Sequence, residues 1–422
     1  MKYTKYIVLI LSITISTKLI SQNLKTNLIN IAIPCKYDSV RDFKNGFARV
    51  KLNGKWGFID KNGNQITKFN FDNYPTNFSD DLCRIYENNN YNIVYFINNK
   101  GEKVSPNYSY ASDYHKGFAC VEYGNWRGLI DVFGNKKVAC NCKNAVFNNG
   151  LMNIKELTNK IRKYKSYFID ISGKVVLNLN DSDFALTEYF ENGFAIVSEN
   201  YFYGIIDTSG REILSKKYMR ITPSKSGMYL LFDDETNFSY FNIEEKKLLN
   251  PKFDYAYDFY DGLALVGIKD KFGYIDKYGN FIINAQYSKA GFFSEGLAPV
   301  KINGKWGFID KKGQVVIKPI YSNTDIGWDE EPMPFNEGLA RVAINGKWGF
   351  INKNGKNITP LKYDWVSIFS NGYAVVSING KCGYVDSSGV EIIPCTYDMA
   401  YKFVDGMARI NSNGKEGFLA IK

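Results

Sequence analysis

Very few side chains in this sequence are placed to do covalent or metal chemistry. His115 is the only histidine, in Tyr114-His115-Lys116-Gly117. A Ser-His-Asp triad or a multi-histidine metal site would have to be built around it. It stands where Lys44 and Asn192 stand in related segments, so it reads as a turn residue. Seven cysteines occur, Cys35, Cys83, Cys120, Cys140, Cys142, Cys382 and Cys395, and an odd number leaves at least one without an intramolecular partner. Cys140 and Cys142 make no Cys-x-x-Cys pair, and no second pair lies at zinc spacing. Cys382 replaces a tryptophan, and Cys35 and Cys395 share an Ile-Pro-Cys-x-Tyr-Asp context. These cysteines read as small apolar side chains. Asp-x-x-Gly recurs at Asp60, Asp276, Asp310 and Asp386. Each copy offers one carboxylate where calcium takes about six to eight oxygens, so it reads as a turn in which Asp bonds the backbone two residues on. No Walker-type loop is present, no Gly-x-Gly-x-x-Gly joins a strand to a helix, and no acidic pair stands out as a glycosidase couple. The expectation is a non-enzymatic protein with no cofactor and no bound metal.

The elements behind these residues are set by a repeat. Asn-Gly-Lys-Trp-Gly-Phe-Ile occurs at 53–59, 303–309 and 345–351, and weaker copies run along the chain. Aligned on the glycine of the Trp-Gly pair or its replacement, the marks are Gly57, Tyr95, Gly128, Tyr167, Gly204, Tyr240, Gly273, Gly307, Gly349, Gly383 and Gly417, with a mean spacing of 36 residues. Eleven units tile the chain from about residue 30 onward. A period of this length belongs to solenoids, propellers and arrays, whose units cannot bury their apolar surface alone.

Within a unit, Asn53-Gly54 between two strand-like runs predicts a type I′ hairpin turn with positive φ at both residues. The two-residue loop then pairs Lys51 with Trp56, Val50 with Gly57, Arg49 with Phe58 and Ala48 with Ile59; it also pairs Arg341 with Phe350 and Lys301 with Trp306. One face carries Ala48, Val50, Gly57 and Ile59, suited to close stacking on a neighbouring layer. The other carries Trp56 and Phe58 with the stems of Arg49 and Lys51, so cation–π contact from Arg49 or Arg341 is expected. After the Asp-x-x-Gly turn a third short strand follows, such as 315–317 or 391–393, then a Tyr-Asp pair as at Tyr397-Asp398. Trp56, Trp126, Trp306 and Trp348, with Gly57, Gly128, Gly307 and Gly349, are read as structural signature residues that pack one unit on the next.

The segments 46–63, 296–313 and 338–355 resemble the WG-repeat (KWG) family, whose consensus runs roughly G-L-A-x-V-x-x-N-G-K-W-G-Y-I-D-x-x-G. The units at 193–210, 262–279 and 372–389 keep the frame without the tryptophan. The resemblance implies an all-β repeat module of bacterial type and no settled activity. The expected fold is a tandem array of about eleven three-stranded units, an open solenoid or superhelix, with one or two β-propeller-like rings as the alternative. The last unit stops at Lys422 without its third strand, and the fragment from Ile33 to Asp38 offers the missing piece of a ring.

The formal charge is +10, and +7 without residues 1–21, which carry Lys2, Lys5 and Lys18 and no acid. It is spread over the units instead of forming the stripe that nucleic-acid binding uses. Met1 to Lys5 is basic, and Tyr6 to Ile15 is apolar and too short to span a bilayer. This predicts a signal peptide over 1–21, a continuous array over 22–422, and an exported product with no transmembrane span after processing. An uncleaved N-terminal anchor is the alternative.

Two departures from the period mark candidate contacts, because insertions in repeat arrays gather in exposed loops. One is acidic, with Trp328, Asp329 and Glu330; the other is basic, with Lys160, Arg162 and Lys163. The expected function is a scaffold that binds an unidentified protein partner at the envelope or outside the cell. An envelope glycan is the second reading, and an enzyme with an unrecognised acidic site the third.

Overall fold

The computed structural model describes residues 29–421 except 88–89, 140–146, 149, 158–163, 171, 179–184, 187–189, 200, 225, 234–236 and 323–333. The predicted signal peptide and the six loop residues just named lie outside the described residues. Every regular element among the described residues is a strand, gathered into eleven antiparallel sheets.

The sheets are numbered in chain order. Sheet 1 spans 39–60, sheet 2 82–98, sheet 3 110–139, sheet 4 147–178, sheet 5 185–218 and sheet 6 220–253; sheet 7 spans 255–287, sheet 8 297–321, sheet 9 339–352, sheet 10 365–397 and sheet 11 399–421. Strands are labelled a to d by repeat position, with b and c the central hairpin, so sheets 2 and 9 consist of b and c, sheet 1 of a to c and sheet 8 of b to d. Seven sheets have four strands where three were expected. The reason lies in the Tyr-Asp pair: Tyr397 ends the d strand of sheet 10, and directly after Asp398 the chain enters the a strand of sheet 11.

The b–c hairpins have the predicted register throughout the strong copies, with Lys51 opposite Trp56, Arg341 opposite Phe350 and Lys301 opposite Trp306. Asn53 and Gly54 have φ of 50° and 79°, as a type I′ turn demands.

The chain groups into two compact units, one of residues 1–69 with 289–422 and the other of residues 70–288. The first contains sheets 1 and 8–11, and the second contains sheets 2–7. In the first unit, Ile29–Tyr37 pairs antiparallel with Lys415–Ile421 and serves as the d strand of sheet 11. Within this unit the strand near the N-terminus and the last hairpin are therefore hydrogen-bonded together, the use that the sequence offered for the fragment from Ile33 to Asp38. The physical cause is the phase of the repeat. Lys415–Ile421 is a c strand whose open edge needs a partner, and Ile29–Tyr37, ahead of the first a strand, is a spare d strand.

Packing between sheets follows the two predicted faces. Trp306 and Phe308 of sheet 8 lie on Ala340, Val342 and Ile351 of sheet 9. Trp348 and Phe350 of sheet 9 lie on Ala374, Val376 and Val385 of sheet 10. In the second unit, Val94 and Phe96 of sheet 2 lie on Ala119, Val121 and Ile130 of sheet 3. Each seam is thus a large-into-small layer, which close packing favours.

Candidate functional site

The signature residues are used inside the repeat. Trp306 is fully buried and Trp56 and Trp348 nearly so. Lys301 lies over the Trp306 ring at 5.9 Å and Arg341 over Trp348 at 5.2 Å. Gly307 is needed for a reason within its own sheet. Trp306 pairs with Tyr321 and Phe308 with Ile317, so three residues of strand d bulge over one of strand c. A Cβ on Gly307 would sit 2.6 Å from the Ile317 carbonyl oxygen. The same clash meets Gly417, 2.5 Å from the Ile33 carbonyl oxygen of the N-terminal strand.

The lysine of Asn-Gly-Lys and the aspartate of Tyr-Asp form a clasp between consecutive hairpins. Asp364 accepts from Lys347 Nζ of sheet 9 at 2.5 Å and from the Asn379 N–H of the sheet 10 turn at 2.7 Å. Asp398 likewise holds Lys381 and the Asn413 N–H, and Asp38 holds Lys415 and the Gly54 N–H. The lysine, then the turn N–H, hold each of these three carboxyls below the usual range. On the other edge, Glu337 accepts from the Asn371 and Gly372 N–H groups, both at 2.8 Å.

The Asp-x-x-Gly motifs are turns, as expected. Asp60 Oδ1 accepts from the Asn62 N–H at 2.9 Å and the Asn64 N–H at 2.8 Å. In the same turn of sheet 5, the Ser209 hydroxyl, then the Arg211 and Ser209 N–H groups, outweigh partial desolvation and bring Asp207 down to about 2. His115 is a turn residue too, its N–H donating to the Phe118 carbonyl at 2.8 Å. Cys35 and Cys395 are free thiols packed against apolar clusters, whereas the fully buried Cys120 is disulfide-bonded.

Two positions differ from the sequence reading. Trp126 is not an equivalent of the other three tryptophans. It pairs with Tyr123, while Arg127, opposite Glu122, holds the register of Trp56. One residue of offset turns the indole to the opposite face of the sheet, where it packs on the Val94 and Phe96 cluster. There it lines a cavity of about 220 Å³ with Tyr108, Tyr123, Phe133 and Lys136. The second correction concerns Tyr240, which pairs with Leu230 and packs on Phe259 as Phe308 packs on Phe335. Ser239, opposite Leu231, therefore stands in the glycine position.

Arginines on the b strands of sheets 2 and 9 bond the following sheet, a role beyond the cation–π contact expected of Arg341. Arg84 Nη1 donates to the Ala111 carbonyl at 2.6 Å, and Arg341 Nη1 to the Val366 carbonyl at 3.1 Å. The seam between sheets 6 and 7 has no such arginine. It holds a cavity of about 300 Å³ lined by Leu230, Phe238, Tyr240, Tyr255, Asp258 and Arg220, among others. Among the described residues no group of three or more His, Cys, Asp or Glu is gathered as metal ligands.

The family described as "WG containing repeat" matches nine times, at residues 30–56, 56–91, 96–125, 203–231, 238–272, 272–306, 306–348, 348–382 and 383–415. The chain belongs to the WG-repeat family. Its matches each straddle two sheets, and those at 30–56, 348–382 and 383–415 include the clasp aspartates Asp38, Asp364 and Asp398. No curated protein matches the chain. Among solved structures, a eukaryotic initiation factor is 12% identical at a TM-score of 0.41, covering 80% of this chain and 92% of its own. BamB from Moraxella catarrhalis is 9% identical at 0.27, covering 73% and 89%. The computationally designed Ika8 protein is 13% identical at 0.29, covering 68% and 100%. Likenesses at this level assign no activity.

Proposed function

We propose that this WG-repeat chain is a non-enzymatic, exported scaffold that binds a protein partner through residues 70–288. The observation that carries this reading is the distribution of exposed rings. Among the described residues ten aromatic side chains are exposed, and nine of them, including Tyr201, Tyr257, Tyr260 and Phe133, belong to that unit; Trp365 is the tenth. Exposed tyrosines give large, rigid, amphipathic contact area, the composition of interface hot spots. The polar signature groups are engaged by turns and clasps, which leaves the non-repeated surface to provide specificity. Export is supported by the basic and apolar order of residues 1–21 and by the Cys120 disulfide, a bond that oxidising compartments preserve. A bacterial source is part of the same proposal.

The test compares crosslinked capture from an envelope fraction by the wild-type chain and by a Tyr201→Ser/Tyr257→Ser/Tyr260→Ser variant of unchanged melting temperature. Loss of one specific partner in the variant is expected. Equal capture by both would remove the aromatic surface from the account and move attention to Trp328 and to Lys160, Arg162 and Lys163. Salt-resistant cosedimentation of the chain with purified wall polysaccharide would instead favour the glycan reading.

A further inference from the structure

Three seams carry an aspartate two residues past the a-strand residue that faces the b-strand valine: Asp42 after Val40, Asp113 after Ala111 and Asp258 after Ala256. In two of them an arginine from the b strand of the preceding sheet reaches it. Arg84 Nε lies 3.2 Å from Asp113 Oδ1, and Arg409 Nε lies 2.5 Å from Asp42 Oδ1. Both arginines occupy one register position, opposite Phe96 and Phe418 across their hairpins, and Arg341 opposite Phe350 makes a third. In sheet 6 that register belongs to Leu230, opposite Tyr240.

The acceptors are present at this seam although that register holds no arginine. Asp258 Oδ1 accepts from the Ser224 hydroxyl and from the Phe259 N–H at 2.6 Å. Ala256 pairs with Val266 as Ala111 pairs with Val121 and Val366 with Val376, so its carbonyl corresponds to the ones that Arg84 and Arg341 bond. Phe238 pairs with Phe253 as Trp306 pairs with Tyr321, which puts a ring at the position of the Trp348 over which Arg341 stacks. Leu230 lines the 300 Å³ cavity together with Phe238, Ala256 and Asp258.

We propose that this cavity receives an arginine side chain of a protein partner, its guanidinium taking the place that Arg84 and Arg409 fill at the sister seams. The carboxylate of Asp258 and the carbonyl of Ala256 accept its N–H groups, and Phe238 faces its plane. A planar, permanently charged fork suits such a set better than an ammonium. This rests on the protein-binding reading above. Arg220, exposed at the same cavity, makes an anion the competing occupant.

The experiment titrates the full chain with acetyl-Gly-Arg-Gly-amide and with its uncharged citrulline counterpart, read by saturation-transfer NMR on the peptides. The arginine peptide should bind saturably, and the citrulline peptide about tenfold or more weakly. Asp258→Asn should weaken the arginine peptide about tenfold while Tm stays within a few degrees. Leu230→Arg should abolish binding and raise Tm, because it restores the internal Arg–Asp pair of the sister seams. Equal binding of both peptides, or indifference to Asp258→Asn, overturns the proposal. So does preferential binding of acetyl-Gly-Glu-Gly-amide that Arg220→Ala removes. If the arginine peptide fails while tyrosine-dependent partner capture holds, this inference falls and the scaffold reading stands.

Discussion

At the scale of single residues, the repeat signature is a set of steric and electrostatic requirements. Trp306 is fully buried against the next sheet. Trp306→Ala is therefore expected to cost about 3–5 kcal/mol in equilibrium denaturation; an unchanged midpoint would remove the indole from the core account. Gly307→Ala adds one methyl group against backbone that cannot rotate away, so a loss of about 1–3 kcal/mol is expected, with Ser239, already a side chain in that position, as the tolerant comparison. The turn carboxylates set the acid limit. Asp207 stands at about 2 in the folded chain, held there by the Ser209 hydroxyl and then by N–H groups; the unfolded carboxyl titrates near about 3.9. Its folded pKa is depressed, so its stabilising contribution is complete above about pH 4 and is lost as pH falls toward about 2. Denaturant midpoints measured between pH 5 and pH 2 should fall, and Asp207→Asn should flatten that slope. The Asp-x-x-Gly turn was legible in the sequence because a carboxylate two residues from its N–H partner is a local interaction. The clasp between Lys347 and Asp364 was not, because 17 residues of chain separate its members.

At the scale of elements, the N-terminal strand is the informative piece. Ile29–Tyr37 carries Ile33-Pro34-Cys35-x-Tyr37, the counterpart of Ile393-Pro394-Cys395-x-Tyr397 in sheet 10, and does in sheet 11 what that strand does at home. Its Ile33 and Tyr37 are buried with Phe418 and Met407. A chain beginning at Asp38 leaves the edge of Lys415–Ile421 open and these groups exposed. The expected outcome is a lower Tm and concentration-dependent association through the free edge, measured by calorimetry and light scattering; an added synthetic peptide of residues 29–37 should reverse both. A truncated chain with the parent Tm would show that the end-to-end pairing contributes nothing. The hairpins themselves were readable to the residue, since a two-residue Asn-Gly loop leaves a single register. Trp126 shows the limit of that reading. Gly124-Asn125 keeps the loop in place, and Trp126 stands where Lys55 stands in sheet 1, one residue before the tryptophan position and hence on the other face.

At the scale of the whole molecule, two compact units arise from one continuous repeat. Residues 70–288 hold six sheets and their own buried clusters in an uninterrupted stretch. That fragment is expected to fold when produced alone, giving a β-type circular dichroism spectrum and a cooperative melt. The other unit joins residues 29–69 to 289–422 and needs both pieces. A fragment of residues 289–422 alone should melt well below the intact chain and recover when residues 29–69 are added. Failure of 70–288 to fold would mean that the compact grouping does not coincide with a cooperative unit.

The sequence by itself determined the all-β repeat, the number of units, and the hairpin registers and two packing faces of the strong copies. All of these follow from interactions within about one period, where loop length and side-chain alternation leave little choice. It also offered the N-terminal strand, because Ile33-Pro34-Cys35-x-Tyr37 repeats the pattern of residues 393–397. Tertiary structure alone decided that this strand is used, that the array groups into two units, and that Arg84 and Arg409 find their aspartates while Asp258 does not. Those outcomes depend on which sheets meet across a seam, and a periodic sequence offers every seam nearly the same local pattern. That register holds arginine in sheets 2, 9 and 11 and Leu230 in sheet 6, and only the assembled contacts show which of these positions faces an aspartate across the seam.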